Sequence, residues 1–247
     1  ILGRFLDVMR SEGGLQDGVP LLVVDLSPGD GERAWQLLRL CEGGPALRYL
    51  AICANAEERE GLRSQPMVRT LLESGRLRLD LNPWNEAGWR RLLGCPKNPV
   101  VIFGHGLFSR LRHDLYGCHY GQWLEAWLVS GEGESPSETP KLAWQEGDCR
   151  DALVDFLKPI YLRGINSASF LAPTGAFECL NPLIRRCGGR YLLVASDYGT
   201  RDLSEIRLGA LACGVEALEG ENGLPVNFHA LSAWLESKGA SCSSSVE

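Results

Sequence analysis

A short stretch near the start of the sequence combines an acid, a glycine-rich turn and the beginning of a helix. An apolar run over residues 21–24 ends in Asp25, and the turn that follows carries Ser27, Gly29 and Gly31. A continuous apolar run predicts a buried parallel strand, which the turn residues end. The free N–H groups at the start of the next helix suit a polar or anionic ligand group. This order is typical of nucleotide- or nucleoside-binding α/β folds, although a plain strand-to-helix connection needs the same tight turn.

Three of the four histidines, His105, His113 and His119, lie close together with Asp114 and Cys118 among them. Their intervals of eight and six residues match no compact zinc-binding pattern, so we predict no metal site. His105 alone follows a predicted buried strand. There an imidazole could take a proton from an attacking nitrogen or oxygen, or it could simply lie on a surface loop.

Candidate functional residues further along the sequence can each be interpreted either as part of a site or as part of the structure. Asp197 follows the last predicted strand, either close to a substrate or as part of an ordinary turn. His229 lies in an apolar helical pattern and is predicted to be a packed, hydrogen-bonded histidine. Trp123 and Trp127 are four residues apart and would mark a partner surface if their segment is a helix, but the segment is equally compatible with a strand.

The elements that must position these residues alternate along the chain. Strands are predicted over residues 21–24, 47–53, 77–81, 99–103 and 191–195, and helices over residues 1–12, 84–93, 148–158 and 226–234. Helical segments between the first four strands predict an α/β fold with a mostly parallel, twisted sheet of about seven strands flanked by helices. We expect an N-terminal helix within residues 1–19, a single domain over 20–240 with a mobile loop at 131–140, and a frayed tail at 241–247.

Composition excludes several classes of protein. The 247 residues carry a net charge of −6 and no basic stripe, which argues against a nucleic-acid partner. No apolar segment is long enough to cross a bilayer, and the first residues lack the pattern of a signal peptide, so we expect no membrane insertion and a cytoplasmic location. The nine cysteines are scattered without a CxxC pair, which favours free thiols in a reducing compartment.

Several stretches follow one another in a recognisable order: VVDLSPGDGERAWQLL, LRYLAICANAEE with QPMVRTLLESGRLRL, NPVVIFGHGLFSRLRHDLY, SFLAPTGAFECL, GGRYLLVASDYG and VNFHALSAWLESKGA. Together they resemble a group of bacterial S-adenosylmethionine-dependent methyltransferases, some of which carry helical repeats. They are more distantly similar to the methyltransferases that help to assemble respiratory complex I. The resemblance spans about residues 20–240 and implies a Rossmann-like class I methyltransferase fold with S-adenosylmethionine as the cofactor.

The resemblance also implies cofactor-binding residues. Asp25, Ser27, Gly29 and Gly31 match the acid and the glycine loop that hold the methionine and ribose portion of the cofactor, with Ser27 in place of the usual first glycine. Relatives have an acid after the second strand that accepts both ribose hydroxyls. Here the neutral Asn55 stands near that place, and Glu57 from the next helix is an alternative.

The loop after the fourth strand faces the transferable methyl group in these enzymes. In this sequence the loop starts with Gly104 and His105 and lacks the amide and carboxylate of the Asn-Tyr-Phe-Phe-Asp type of segment found in relatives. The resemblance therefore implies a cofactor contact at Gly104, with His105 and Asp197 as candidate catalytic residues.

Two functional hypotheses follow from these observations. The first is an S-adenosylmethionine-dependent methyltransferase of unknown substrate. The second, favoured by the missing polar groups, is a degenerate, non-catalytic scaffold that binds another protein. Under either hypothesis a protein is a candidate substrate or partner. A nucleotide-binding domain of another kind is less well supported, because no lysine follows the glycine turn.

Overall fold

The computed structural model of the chain describes residues 2–42, 46–129, 141–146, 154–164, 166–207 and 223–243. The chain divides into two compact units. The first unit comprises Ile1–Leu107 and Cys179–Ser196, and the second comprises Phe108–Glu178 and Asp197–Glu247. The single domain over residues 20–240 stays a prediction.

The described strands are β1 (Leu21–Asp25), β2 (Leu47–Cys53), β3 (Leu77–Leu81), β4 (Val100–His105), β5 (Asp114–His119), β6 (Gln122–Val129), β7 (Lys141–Glu146), β8 (Ser167–Ala172), β9 (Tyr191–Ser196), β10 (Gly199–Thr200) and β11 (Val226–Asn227). The described helices are α1 (Leu2–Ser11), α2 (Glu32–Leu40), α3 (Ala56–Ser64), α4 (Pro66–Glu73), α5 (Glu86–Leu93), α6 (Leu157–Gly164), α7 (Thr174–Cys187), α8 (Leu203–Arg207) and α9 (Phe228–Ser237). None of these helices has the length and apolar composition that crossing a membrane requires.

The first unit is built on a parallel sheet of five strands in the order β3-β2-β1-β4-β9. Every neighbouring pair is parallel, and Val23 in the central strand lies between Tyr49 of β2 and Val101 of β4. All five strands predicted from the sequence belong to this sheet. The parallel α/β architecture is therefore confirmed, and the strand order reverses between β1 and β4.

One face of this sheet forms a continuous core with the first four helices. Val23 of β1 is fully buried there, together with Leu6 of α1, Leu38 of α2, Leu62 of α3 and Val68 of α4. Each helix supplies apolar residues from one side only, as expected for helices that cover a sheet. This packing fixes the start of α2 against the end of β1, where the glycine turn lies.

The second unit has sheets of its own, so the expected single sheet of about seven strands is wrong. Its antiparallel sheet has the order β7-β6-β5-β8, and β10 pairs with β11 separately. Only Tyr120 and Gly121 join β5 to β6, and both have positive φ, as a type I′ hairpin turn requires. A two-residue connection can join only antiparallel strands. The segment with Trp123 and Trp127, for which the sequence is compatible with either a strand or a helix, is therefore the strand β6.

Aromatic side chains form the core of the second unit. Trp123 is 3% exposed, and its ring centroid lies 5.2 Å from that of Tyr116 and 5.4 Å from that of Phe170. Tyr161 of α6 stacks on Phe170 at 4.2 Å. Trp127, on the same strand as Trp123, remains 39% exposed. The two tryptophans share a face of a strand rather than of a helix, and the first of them is a core residue.

Two further sequence expectations concern segments near α6. A helix is predicted over residues 148–158. Within the described residues, 154–156 form a turn and helix α6 begins at Leu157, while residues 147–153 lie outside the described part. The predicted mobile loop at 131–140 also lies outside it, as do residues 244–247 of the predicted tail.

A buried polar network connects three elements of the second unit. Asn227 Nδ2 donates to the Tyr161 hydroxyl at 3.0 Å and to the Leu171 carbonyl at 3.0 Å, while Asn227 Oδ1 caps α9 by accepting from the Ala230 N–H at 2.9 Å. His229 Nδ1 lies 3.1 Å from the Tyr161 hydroxyl. His229 is therefore the packed, hydrogen-bonded histidine predicted from the sequence.

The protonation of His229 makes stability depend on pH. Burial lowers the pKa of His229 below its ordinary value of 6.5, so the unfolded chain binds this proton more readily than the folded chain. The free energy of unfolding therefore falls as the pH drops below 6.5 and recovers as the pH rises through that value. We expect His229→Gln to fall less steeply than the wild type in urea titrations between about pH 7 and pH 5, where a histidine changes charge.

His113 accounts for a further part of the pH dependence. Burial also lowers the pKa of His113. The free energy of unfolding of the His229→Gln variant therefore still falls toward low pH, and we expect His113→Gln to remove that remaining part. Identical slopes for the wild type and His229→Gln would contradict the assignment of this pH dependence to His229.

Candidate functional site

The carboxyl ends of β1 and β4 border an open pocket in the first unit. Strand order reverses between these two strands, and in open α/β sheets ligands bind in the crevice outside the carboxyl ends of the strands at such a point. The pocket has a volume of about 590 Å³ and is lined by Pro28, Gly29, Asp30, Glu32, Arg33, Gln36 and His105. Most of the lining comes from the turn after β1 and the first residues of α2.

Asp25 ends β1 beneath this pocket and is fully buried. Its two carboxylate oxygens each lie 3.0 Å from Arg33 Nη1, and the Tyr49 hydroxyl donates to Oδ2 at 2.5 Å. The Ser27 N–H donates to Oδ1 at 3.1 Å. A buried carboxylate is tolerated only when it is paired and hydrogen-bonded, and these partners meet that requirement. Both carboxylate oxygens of Asp25 therefore accept hydrogen bonds from within the protein.

Tyr49 reaches Asp25 because of the strand register. Val23 pairs with Tyr49 and Asp25 pairs with Ala51, so the side chains of Tyr49 and Asp25 lie on the same face, one pleat apart. Burial raises the pKa of Tyr49, and the negative charge of Asp25 raises it further. The phenol therefore stays protonated and serves as a permanent hydrogen-bond donor to the carboxylate.

Arg33 lies in the first turn of α2 and joins the buried acid to the pocket surface. Its Nη1 donates to Asp25 and lies 3.4 Å from the Ser27 carbonyl, and its guanidinium group lies over the Phe103 ring at 5.9 Å from the centroid. Its side chain is 31% exposed. Its Nε and Nη2 donate to none of the described residues.

Ser27 fastens the turn after β1 to the end of β4. Its hydroxyl donates to the His105 carbonyl at 2.6 Å and accepts from the His105 N–H at 3.0 Å. The Leu26 N–H also donates to the Phe103 carbonyl at 2.9 Å. The serine that replaces the usual first glycine therefore turns its side chain toward the neighbouring strand.

The two glycines of the turn are required for different reasons. Gly29 has a φ of +58°, lines the pocket, and has open space where a Cβ would lie. Gly31 has a φ of +87° and precedes α2, and a Cβ there would collide with Val68 of α4. Gly29 therefore leaves the backbone open to a ligand, while Gly31 allows close packing of the helices.

Of the sequence-predicted site residues, His105 lies where a catalytic group could act. It ends β4, is exposed and lines the pocket, and its imidazole has no hydrogen-bond partner among the described residues. Gly104, its neighbour, is buried within β4, where it pairs with Ala195 of β9 and does not line the pocket.

Asn55 and Asp197 are both occupied in holding the backbone. Asn55 Oδ1 caps α3 by accepting from the Glu58 N–H at 2.8 Å, and Glu58 Oε2 accepts from the Ala54 N–H at 2.6 Å. The acid that reaches the end of β2 is therefore Glu58, not Glu57. Asp197 belongs to the second unit, where its oxygens accept from the N–H groups of Ser109 at 3.0 Å and Tyr198 at 2.8 Å.

Sequence reasoning missed Arg33 and Tyr49, although each leaves a signal. The positive end of the helix dipole disfavours a cation in the first turn, so the place of Arg33 indicates a specific anionic partner. Tyr49 lies in a strand of mostly apolar residues, and a buried tyrosine hydroxyl needs a hydrogen-bond partner. Glu58 lies three residues after Asn55, the spacing of a capping box.

Metal and thiol chemistry receive no support from the described residues. Within the described ranges, no three His, Cys, Asp or Glu side chains converge as metal ligands would. Seven of the nine cysteines are described and all seven are free thiols. Burial raises the pKa of Cys53, Cys118 and Cys179 to about 11. These thiols are protonated near neutral pH and are therefore poor nucleophiles.

The fold is similar to that of two solved structures from Burkholderia thailandensis. One is a COG1565 superfamily member and inferred methyl transferase, crystallised with S-adenosyl-homocysteine; it has a TM-score of 0.53 and 14% sequence identity and aligns with 94% of this chain and 58% of its own. The other is a COG1565 superfamily protein with a TM-score of 0.55 and 14% identity, aligning with 94% of this chain and 60% of its own. The sequence matches no protein-family model and no curated protein.

These similarities establish a methyltransferase-like fold, which the sequence predicted. The chain spans less than two thirds of the length of either solved structure. Neither match bears on methyltransferases with helical repeats or on the assembly of complex I, so those finer resemblances stay predictions.

The hydrogen bond from Tyr49 to Asp25 can be tested by removing one oxygen atom. Tyr49→Phe leaves a buried carboxylate with fewer donors, and a hydrogen bond to a charged group contributes about 1.5–3 kcal/mol. We expect the free energy of unfolding in urea to fall by that amount. The matched control is Tyr198→Phe, since Tyr198 is 70% exposed; its effect should stay within about 0.5 kcal/mol. Equal effects of the two changes would show that the bond contributes nothing to stability.

Proposed function

We propose that this chain is an S-adenosylmethionine-dependent methyltransferase that binds its cofactor in the first unit. The observation that carries the proposal is the open pocket beside Gly29, where the strand order of the parallel sheet reverses. The similarity in fold to an inferred methyl transferase that binds S-adenosyl-homocysteine supports the same conclusion. The substrate remains open in this proposal.

The residues of the pocket suit such a ligand. Gly29 leaves its backbone uncovered, and the lining carries charges of both signs, a cation at Arg33 and carboxylates at Asp30 and Glu32. S-adenosylmethionine itself carries an ammonium, a carboxylate and a sulfonium group, and supplies an electrophilic methyl group when bound. In this proposal Asp25 acts indirectly, by fixing the turn through Ser27 and by orienting Arg33.

In this proposal His105 is the residue of the pocket that accepts a proton from the substrate. A neutral imidazole at the end of β4 would accept the proton of a nitrogen or oxygen nucleophile, and general bases of this kind typically accelerate a reaction 10²–10⁴-fold. The proposal gives no catalytic role to Asp197 and no cofactor contact to Gly104 or Asn55, because the described hydrogen bonds and strand pairing already occupy them.

The alternative of a cofactor-free scaffold is less well supported. A scaffold that had lost its ligand would be expected to fill the crevice with bulky side chains. Here the crevice is open, and among the residues that the structure describes its lining contains no aromatic side chain other than the imidazole of His105. A protein substrate or partner and a cytoplasmic location remain parts of the proposal that follow from the sequence.

Isothermal titration calorimetry with S-adenosyl-homocysteine tests the proposal directly. We expect the wild-type chain to bind with a dissociation constant of roughly 1–100 µM, equivalent to about 5.5–8.2 kcal/mol. Gly29→Leu should abolish binding, since the added side chain would project into the pocket. The control is Gly18→Leu, because Gly18 also has a positive φ and open space around it but does not line the pocket.

The pair of variants separates loss of the site from loss of the fold. Both substitutions impose a similar backbone strain, so their thermal unfolding should shift by similar amounts. The proposal fails if the folded wild-type chain gives no heat with millimolar S-adenosyl-homocysteine, or if Gly29→Leu binds as tightly as Gly18→Leu.

A further inference from the structure

Arg33 presents unused hydrogen-bond donors to the pocket. A guanidinium group carries five N–H donors. All described bonds of Arg33 use Nη1, which serves Asp25 and Ser27, so Nε and Nη2 keep three N–H donors without a partner among the described residues. Arginine recognises a carboxylate best through two parallel N–H bonds from one edge, and the edge formed by Nε and Nη2 supplies such a pair.

The side chain is held in place before any ligand arrives. The buried carboxylate of Asp25 fixes Nη1, and the ring of Phe103 supports the guanidinium plane. Little rotamer entropy remains to be lost on binding, which raises the affinity of a preorganised group for its ligand. The arrangement is that of a binding residue whose orientation is set by the protein core.

The charges around Arg33 indicate what kind of anion fits. Asp30 and Glu32 also line the pocket, with Asp30 Oδ1 accepting from the Glu32 N–H at 3.0 Å and Glu32 Oε1 accepting from Gln36 Nε2 at 2.8 Å. The second oxygen of each carboxylate has no partner among the described residues. A wall with one cation and two anions repels a phosphate group but matches a carboxylate that carries an ammonium group beside it.

We infer that Arg33 binds the α-carboxylate of an amino-acid group, with Asp30 and Glu32 on the side of its ammonium group. The inference rests on the proposed function, in which this group is the methionine portion of S-adenosylmethionine. It assigns to Arg33 the recognition of one end of the cofactor, and to Asp25 the orientation of Arg33. A free amino acid has the same chemistry, so the test must distinguish the two sources.

The test compares two ligands that differ only in the α-carboxylate. S-adenosylmethionine and its decarboxylated form are titrated separately into the wild-type chain, into Arg33→Met and into Arg39→Met. Arg39 lies on the same helix, stacks on Trp35 at 5.8 Å and does not line the pocket, so its variant carries the same change of charge elsewhere. L-methionine is titrated into the wild type as a third ligand.

We expect the wild type and Arg39→Met to bind S-adenosylmethionine about 10–100-fold more tightly than the decarboxylated form, the usual range for a hydrogen-bonded charge. In Arg33→Met this preference should fall to within about twofold, and nearly all of the loss should be in affinity for S-adenosylmethionine. An unchanged preference in Arg33→Met would overturn the inference, as would equal weakening of both ligands, which would indicate a purely structural role.

Arg33→Met leaves Asp25 without its cation, so Arg33→Lys provides a second variant if the first does not fold. A lysine can pair with Asp25 as a point charge but has no second edge for a ligand. We expect it to fold and to lose at least about tenfold of the preference; retention of the full preference would overturn the inference. Failure of the wild type to bind either nucleoside ligand would instead overturn the proposed function, and tighter binding of L-methionine than of S-adenosylmethionine would assign the site to a free amino acid.

Discussion

The buried carboxylate of Asp25 is the constraint on which the site depends. A charge removed from water needs several donors around it, and Arg33, Tyr49 and the Ser27 backbone supply them from three different segments. These hydrogen bonds hold the turn after β1 through Ser27 and the first turn of α2 through Arg33. They also require a hydrogen-bond donor in β2, which is the hydroxyl of Tyr49. The shape of the pocket is therefore a consequence of how the core accommodates one acid.

Much of the first unit is predictable from sequence because its central strands, β1, β2 and β4, are mostly buried on both faces. Continuous apolar runs such as those of β1 and β4 stand out from their surroundings, and the helices between the predicted strands favour a parallel sheet. The second unit was harder to predict. Its antiparallel sheet depends on a tight turn at Tyr120 and Gly121, and a positive φ at a tyrosine has no clear signature in sequence.

The candidate site was predictable at its backbone and less so at its side chains. The turn containing Gly29 was expected from the order of strand, turn and helix, whereas His105 was predicted in the loop after a strand ending at residue 103 and instead ends β4. Arg33 and Tyr49 were missed because their roles arise from the register of β1 on β2 and from the direction in which α2 starts, which become visible only in three dimensions. Asn55 showed the opposite error, since a residue suited to a ligand is also suited to a helix cap.

The hydroxyl of Ser27 joins the turn after β1 to the backbone of His105 through two hydrogen bonds. A glycine at this position would remove both bonds, and the two loops would be coupled more weakly, through the Leu26 to Phe103 backbone bond. With serine, they share one conformational equilibrium, so whatever restrains the turn also restrains the strand end that carries the imidazole. Thermodynamic linkage makes this coupling reciprocal. In the proposed methyltransferase, a substrate that orders His105 would therefore also tighten the binding of the cofactor at the turn.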